Sequence, residues 1–98
     1  MRKYLMIWTI DWSKIPVDPK ERKVGFDMLM AMVKEDMKKS GMKDWGAFIA
    51  GYKGYSIIEG TEVEVLKMQQ QYTPFVNFEP HPVATVAQVD EMIKALGK

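Results

Sequence analysis

The alternation of apolar and polar positions predicts four β-strands and three helices along the 98 residues. Residues 3–10 are apolar at nearly every position, which is typical of a central strand covered on both faces. Two further apolar runs, Trp-Gly-Ala-Phe-Ile-Ala at 45–50 and Tyr-Ser-Ile-Ile-Glu at 55–59, are joined by Gly-Tyr-Lys-Gly. Because Gly51 and Gly54 tolerate positive φ angles, we expect these two runs to form an antiparallel hairpin.

The first helix has a start signal in its local sequence. Asp18, Pro19 and Glu21 match an N-cap, a first-turn proline and an N3 acid, so the helix is expected to begin near Pro19. An apolar stripe then continues for about twenty residues to Gly41, which is expected to end the helix. Gly25 lies inside this helix, where glycine costs about 1 kcal/mol relative to alanine, so a close approach of helix to sheet is expected there.

The second half of the chain repeats the order of helix and strand. Thr61 and Glu64 predict a capping box at the start of a weaker amphipathic helix. A strand is expected from Phe75, and the Pro-His-Pro run at 80–82 is expected to interrupt it and confine it to a sheet edge. Residues 85–97 predict a short C-terminal helix with a second capping box and a final glycine.

This order of elements predicts an α+β, ferredoxin-like fold, βαββαβ, with a four-stranded antiparallel sheet and an extra C-terminal helix. At this length the whole chain, residues 1–98, is expected to form a single domain. The net charge is +1 and there is no cysteine. We expect no nucleic-acid partner and no membrane association, because the charge is balanced and no apolar run is long enough for a secretion signal or a span. A cytoplasmic protein is therefore expected.

The predicted sheet is apolar on both faces. In this fold both crossover helices pack on one face, which leaves the other uncovered. Alternation places Leu5 and Ile7 on one face of the first strand and Trp8 on the other, and it places Ile58 opposite Ile57 on the third strand. We expect a homodimer formed through the sheet face, since a second copy would cover the apolar surface. The alternative is that the C-terminal helix folds over that face within one chain.

Three short motifs accompany this element order: M-I-W-T-I in the first strand, the glycine-tyrosine turn before Y-S-I-I-E, and F-E-P-H-P-V near the end. With them, most of residues 3–84 resembles the dimeric α/β-barrel superfamily, and in particular its small uncharacterised bacterial and archaeal domains. In that superfamily two ferredoxin-like subunits place their sheets face to face. Its members include cofactor-free oxygenases of aromatic polyketides, haem-degrading oxygenases, isomerases and stress-response proteins, so the resemblance implies a fold, a dimer and a range of functions.

Several strand residues are candidates for a ligand pocket. Four aromatic residues, Trp8, Trp45, Tyr52 and Tyr55, would supply a flat lining, although aromatic residues on strands are also ordinary core and interface material. Asn77 would bind a substrate carbonyl in a pocket or else mark a solvated edge. Glu59 would act as a buried acid or else lie exposed at the end of its strand. The pocket candidates are Trp8, Trp45, Tyr55, Glu59, Asn77 and His81.

His81 is the one candidate for a catalytic residue. It is the only histidine, and the prolines on either side stiffen its backbone, as a general base or an axial metal ligand requires. The alternative is an ordinary surface histidine. Because the chain has no cysteine and no second histidine, we expect no metal site, and we expect no cofactor.

Three functions are compatible with these residues. The first is a homodimeric domain that binds a small apolar or aromatic ligand between sheet and helices. The second is a cofactor-free oxygenase or isomerase, in which Trp8, Asn77 and His81 orient an aromatic substrate and shuttle a proton. The third is a structural oligomerisation module. The sequence does not decide whether the protein is an enzyme.

Overall fold

The architecture is that of a ferredoxin-like α+β fold, seen in a computed structural model that describes residues 2–39 and 41–97. The elements are β1 (Arg2–Ile10), a 3-10 helix (Trp12–Lys14), α1 (Pro19–Lys38), β2 (Met42–Ala47), β3 (Lys53–Gly60), α2 (Glu62–Gln71), β4 (Val76–Val83) and α3 (Val86–Leu96). The strand order is β2-β3-β1-β4, and every neighbouring pair is antiparallel. The predicted fold, including its extra C-terminal helix, is confirmed.

Helix α1 begins where its capping residues predict and ends earlier than expected. The Asp18 carboxylate accepts a 3.4 Å hydrogen bond from the backbone N–H of Glu21. The helix ends at Lys38, three positions before Gly41. The expected close approach at Gly25 is wrong, because a Cβ added there would meet no atom within 4 Å.

In the connection between β2 and β3, the two residues with positive φ angles are not the predicted pair of glycines. Positive φ angles occur at Gly51 (73°) and at Tyr52 (35°), while Gly54 lies within β3. Gly54 instead permits a close contact, since a Cβ there would collide with the Gly46 carbonyl oxygen and the Trp8 indole. Strand β2 also ends at Ala47, so residues 48–50 belong to the loop and not to the strand.

Strand β4 is an edge strand, as predicted, but its prolines do not interrupt it. Pro80 pairs with Met6 of β1, and Pro82 pairs with Tyr4. Because the two prolines occupy alternate positions of a strand with a single neighbour, both missing N–H donors fall on the side that has no partner strand.

The core lies between α1, α2 and the side of the sheet that faces them. Alternate residues of β1 are buried there, while Leu5 and Ile7 are half-buried on the other side. The buried core comprises Tyr4, Met6, Val33, Met42, Ile58, Val65, Met68 and Tyr72. We call the other side of the sheet the open face. Its residues include Leu5, Ile7, Thr9, Tyr55, Ile57, Glu59, Asn77, Glu79 and His81.

Helix α3 does not cover the open face, so that alternative is not what the structure shows. Residues 84–97 are all exposed. They include the apolar side chains Val86, Val89, Met92, Ile93 and Leu96. The described chain measures 62 × 26 × 18 Å. Neither α3 nor any other described helix is long and apolar enough to cross a lipid bilayer.

Replacing Gly25 with alanine is expected to stabilise the protein by about 0.5–1 kcal/mol, because alanine is the better helix former and the space around the site is open. The thermal midpoint should rise by about 2–8 °C, and urea unfolding measures the free energy of unfolding directly. Gly54→Ala is the matched control and should lose stability, since its new methyl group meets backbone and indole. A Gly25→Ala protein less stable than wild type would contradict the expected gain.

Candidate functional site

The floor of the candidate site is a pair of stacked indoles on the helix-facing side of the sheet. Trp8 of β1 and Trp45 of β2 have ring centroids 5.3 Å apart, and their planes are 9° from parallel. Strand β3 runs between these two strands, and the Trp8 indole crosses it at Gly54, where there is no side chain. Trp8 Nε1 donates a 3.1 Å hydrogen bond to the backbone carbonyl of Tyr55. This bond and the stacking together orient the Trp8 ring.

A cavity of about 580 Å³ lies above this floor, between the sheet and α1. Phe26, Leu29, Met30 and Val33 of α1 line one wall. The other described lining residues are Trp8, Ile10, Trp12, Met42, Trp45, Ala47, Phe48, Ile49, Gly51, Tyr52, Lys53, Ser56, Tyr72, Val76 and Phe78. A volume of this size and a mostly apolar lining are typical of sites that take small organic molecules.

An aromatic rim surrounds the mouth of the cavity. The Trp12 and Tyr52 rings meet edge to face, with centroids 4.5 Å apart and planes at 67°. Phe26 lies 5.8 Å from Tyr52, also between ring centroids. Ile10 N–H donates a 3.0 Å hydrogen bond to the Tyr52 carbonyl, which ties the β2–β3 loop to the end of β1. Trp12 is 64% exposed, so this rim lies between the cavity and solvent.

Two polar groups lie deep in the lining. Ser56 is 1% exposed, and its Oγ has no hydrogen-bond partner among the described residues. The Tyr72 hydroxyl donates a 2.7 Å hydrogen bond to Oδ2 of the buried Asp36. Burial, and then this bond to a carboxylate, raises the pKa of the Tyr72 phenol, so it stays a protonated donor at neutral pH.

The structure brings two of the six pocket candidates together. Trp8 and Trp45 line the cavity, while the other four candidates lie on the open face. There the Tyr55 hydroxyl donates a 2.8 Å hydrogen bond to Asp44, and this bond is the main reason that the pKa of Tyr55 is raised. Glu59 lies 3.8 Å from the ammonium of Lys43, measured between nitrogen and oxygen. The sheet therefore separates these side chains from the cavity.

The remaining two candidates, Asn77 and His81, are both exposed on β4. Because β4 stays extended through Pro80, Glu79 and His81 share the open face, and His81 Nε2 lies 2.7 Å from Glu79 Oε2. Asn77 pairs with Thr9 of β1. Residues 2–39 and 41–97 contain no group of three or more histidine, cysteine or acidic side chains that could hold a metal ion.

Most of the described lining residues were not among the candidates, and three of them show the reasons: Ser56, Phe26 and Trp12. Ser56 carries a signal that could have found it, since it is a polar residue inside an apolar strand and shares the parity of the buried Ile58. Phe26 belongs to the apolar stripe of α1, which is indistinguishable in sequence from ordinary core. Trp12 lies outside the strands that supplied the candidates.

Fold and site together define a small ferredoxin-like α+β protein with an aromatic cavity between its sheet and first helix. Residues 2–97 match the family described as a domain of unknown function, DUF3303. The chain therefore belongs to the DUF3303 family. No curated protein matches the chain. The family description assigns no activity, substrate or ligand.

Replacing Tyr72 with phenylalanine is expected to destabilise the protein by about 1–3 kcal/mol at neutral pH, because the buried Asp36 carboxylate loses its hydrogen bond. The raised pKa of Tyr72 adds a pH dependence. The unfolded chain releases the phenol proton near pH 10, about its ordinary pKa, while the folded chain keeps it. Its contribution to stability is therefore complete below about pH 10 and is lost as the pH rises further.

Urea unfolding at about pH 8 and about pH 11 tests both effects of Tyr72→Phe. The variant should lose less stability than wild type between these two conditions. Tyr55→Phe is the control at neutral pH, since its partner Asp44 is exposed and water replaces the lost hydroxyl at little cost. Equal alkaline losses in wild type and Tyr72→Phe would contradict the assignment.

Proposed function

We propose that this protein is a homodimer that binds a small, mostly apolar or aromatic ligand in the cavity between its sheet and α1. The observation that carries the proposal is the cavity of about 580 Å³, with its stacked indole floor and its aromatic rim. Protein interiors are normally close-packed, and side chains that line a void lose dispersion contacts. A bound molecule would restore those contacts, which supports a ligand as the occupant of this space.

Ligand binding is favoured over a cofactor-free oxygenase or isomerase. A general base must lie within hydrogen-bond reach of the proton that it takes, directly or through one water. His81 and Asn77 lie on the open face, on the other side of the sheet from the cavity. The described lining contains neither an imidazole nor a carboxylate side chain. The lining residues are thus suited to holding an aromatic molecule, while His81, the candidate for proton transfer, lies outside the cavity.

The open face supports the homodimer. Leu5, Ile7 and Ile57 form an apolar centre that α3 leaves uncovered. Polar pairs flank this centre at both edges, with Lys43 and Glu59 on one side and Glu79 and His81 on the other. An apolar centre with a polar rim is the usual anatomy of a protein interface. A second copy, placed sheet against sheet about a twofold axis, would give a dimeric α/β barrel whose subunit is the single domain of residues 1–98.

Filling the cavity is expected to abolish ligand binding. Leu29→Trp places an indole in the cavity wall, while Leu66→Trp makes the same change on α2, where the leucine is 60% exposed. Thermal-shift measurements with a panel of small aromatic metabolites should find compounds that raise the melting temperature of wild type and Leu66→Trp but not of Leu29→Trp. A ligand at a hundred times its Kd stabilises the native state by about 2.7 kcal/mol. A panel without any shift in wild type would favour the structural oligomerisation module.

Placing a charge at the centre of the open face is expected to break the dimer. Light scattering on wild type should give twice the 11.3 kDa mass of the chain. Ile57→Glu should give the monomer mass, because a buried, unpaired carboxylate opposes association. Leu66→Glu carries the same charge on the exposed surface of α2 and should remain dimeric. A wild-type particle of 11.3 kDa at micromolar concentration would refute the dimer.

A further inference from the structure

The Ser56 hydroxyl is a buried hydrogen-bonding group that the protein itself does not satisfy. Ser56 lies mid-strand in β3, paired with Met6 of β1 and Trp45 of β2. It is 1% exposed and contributes to the cavity lining, yet its Oγ has no hydrogen-bond partner among the described residues. A buried hydroxyl without a partner is costly, and a serine hydroxyl both donates and accepts. A polar atom on a ligand would supply the missing bond.

Two other polar groups of the lining already donate hydrogen bonds within the protein. Trp8 Nε1 donates to the Tyr55 carbonyl, and the Tyr72 hydroxyl donates to Asp36. Among the fully buried side-chain polar atoms of the described lining, Ser56 Oγ is thus the one without a hydrogen-bond partner. In an apolar pocket, a small number of well-positioned polar groups determines which ligands bind.

The ligand is expected to be uncharged. Among the described lining residues, Lys53 is the only charged one. It pairs with Thr9 at the start of β3, and strand alternation gives its side chain the parity of Tyr55 and Ile57 on the open face. An ionised group in the cavity would therefore lack a partner of opposite charge, which is strongly unfavourable in an apolar site.

We infer that Ser56 is the polar anchor of the cavity and that its ligand is a neutral aromatic molecule bearing a hydroxyl or carbonyl group, an inference that rests on the proposed function. The ligand ring packs against the stacked pair of Trp8 and Trp45 in the cavity lining. The ring's polar substituent exchanges a hydrogen bond with Ser56 Oγ. Ser56 acts in this way as a specificity-determining residue, selecting aromatic molecules with one polar substituent over hydrocarbons of the same shape.

Four naphthalene derivatives of one shape test this inference by isothermal titration calorimetry: β-naphthol, methyl β-naphthyl ketone, β-methylnaphthalene and β-naphthoate. Wild type should bind the naphthol or the ketone at least about fivefold more tightly than the hydrocarbon, and should bind the anion most weakly. In Ser56→Ala this preference should disappear, while the affinity for the hydrocarbon should stay within about twofold of wild type.

Matched variants separate a specific anchor from a structural effect. Ligand-free Ser56→Ala should melt at or above the wild-type temperature, because the change removes an unsatisfied hydroxyl. Ser56→Cys keeps the shape of serine with a weaker donor and should show a reduced preference. Thr9→Ala removes a hydroxyl from the open face and should leave the preference intact.

Each result of the titrations has its own meaning. Equal affinities for the naphthol, the ketone and the hydrocarbon in wild type, or a preference that persists in Ser56→Ala, would overturn the anchor while leaving ligand binding in the cavity intact. Tightest binding of β-naphthoate would overturn the neutral ligand class. If none of the four compounds binds wild type, this inference is contradicted, while the proposed function is decided separately by the metabolite panel and the Leu29→Trp variant. Binding that persists in Leu29→Trp would place the compounds outside the cavity, with the same consequence.

Discussion

The position of the Trp8 indole, laid across β3 at Gly54, is the constraint on which the rest of the site depends. Any side chain at Gly54 would occupy the space that the ring fills. In this position the indole reaches both the Tyr55 carbonyl and the face of Trp45. Two large flat rings therefore cover one end of the sheet, and α1 faces them across the cavity, while Val33 of the same helix packs into the core.

The helix-facing side of the sheet is thus divided into a packed half and a hollow half. In the packed half, Met6 and Ile58 meet Val65 and Met68 of α2, and close packing of this kind supplies most of the stability of a small domain. The hollow half lies beneath the middle of α1, from Phe26 to Val33. Tyr72 contributes to both the core and the cavity, and burial there keeps its phenol a neutral donor. The closest packing and the cavity consequently lie at different ends of one sheet.

The sheet also separates two kinds of chemistry. Neighbouring residues of a strand point to opposite faces, so the apolar cavity and the ionisable open face alternate along the chain. Ser56 and Tyr55 are adjacent in β3, yet one lines the cavity and the other bonds to Asp44. A set of candidates that mixes the two parities, such as Trp8 with His81, is therefore spread over both faces of the sheet and does not form one site. The two proposed partners, a small aromatic molecule and a second subunit, would therefore meet opposite faces of the sheet.

What the sequence determined by itself was the local structure. The capping residues Asp18, Thr61 and Thr85 identified the starts of the described α-helices α1, α2 and α3, because a cap acts on backbone groups only a few positions away. The edge position of β4 followed from its prolines, because a missing backbone N–H is also a local property. Two of the cavity residues, Trp8 and Trp45, followed from the pattern of aromatic residues. Only the tertiary structure decided the role of Gly54, the unpaired state of Ser56 and the volume left beneath α1. Each of these depends on how side chains from separate elements pack against one another. The spacing of residues within a single strand or helix does not determine those contacts.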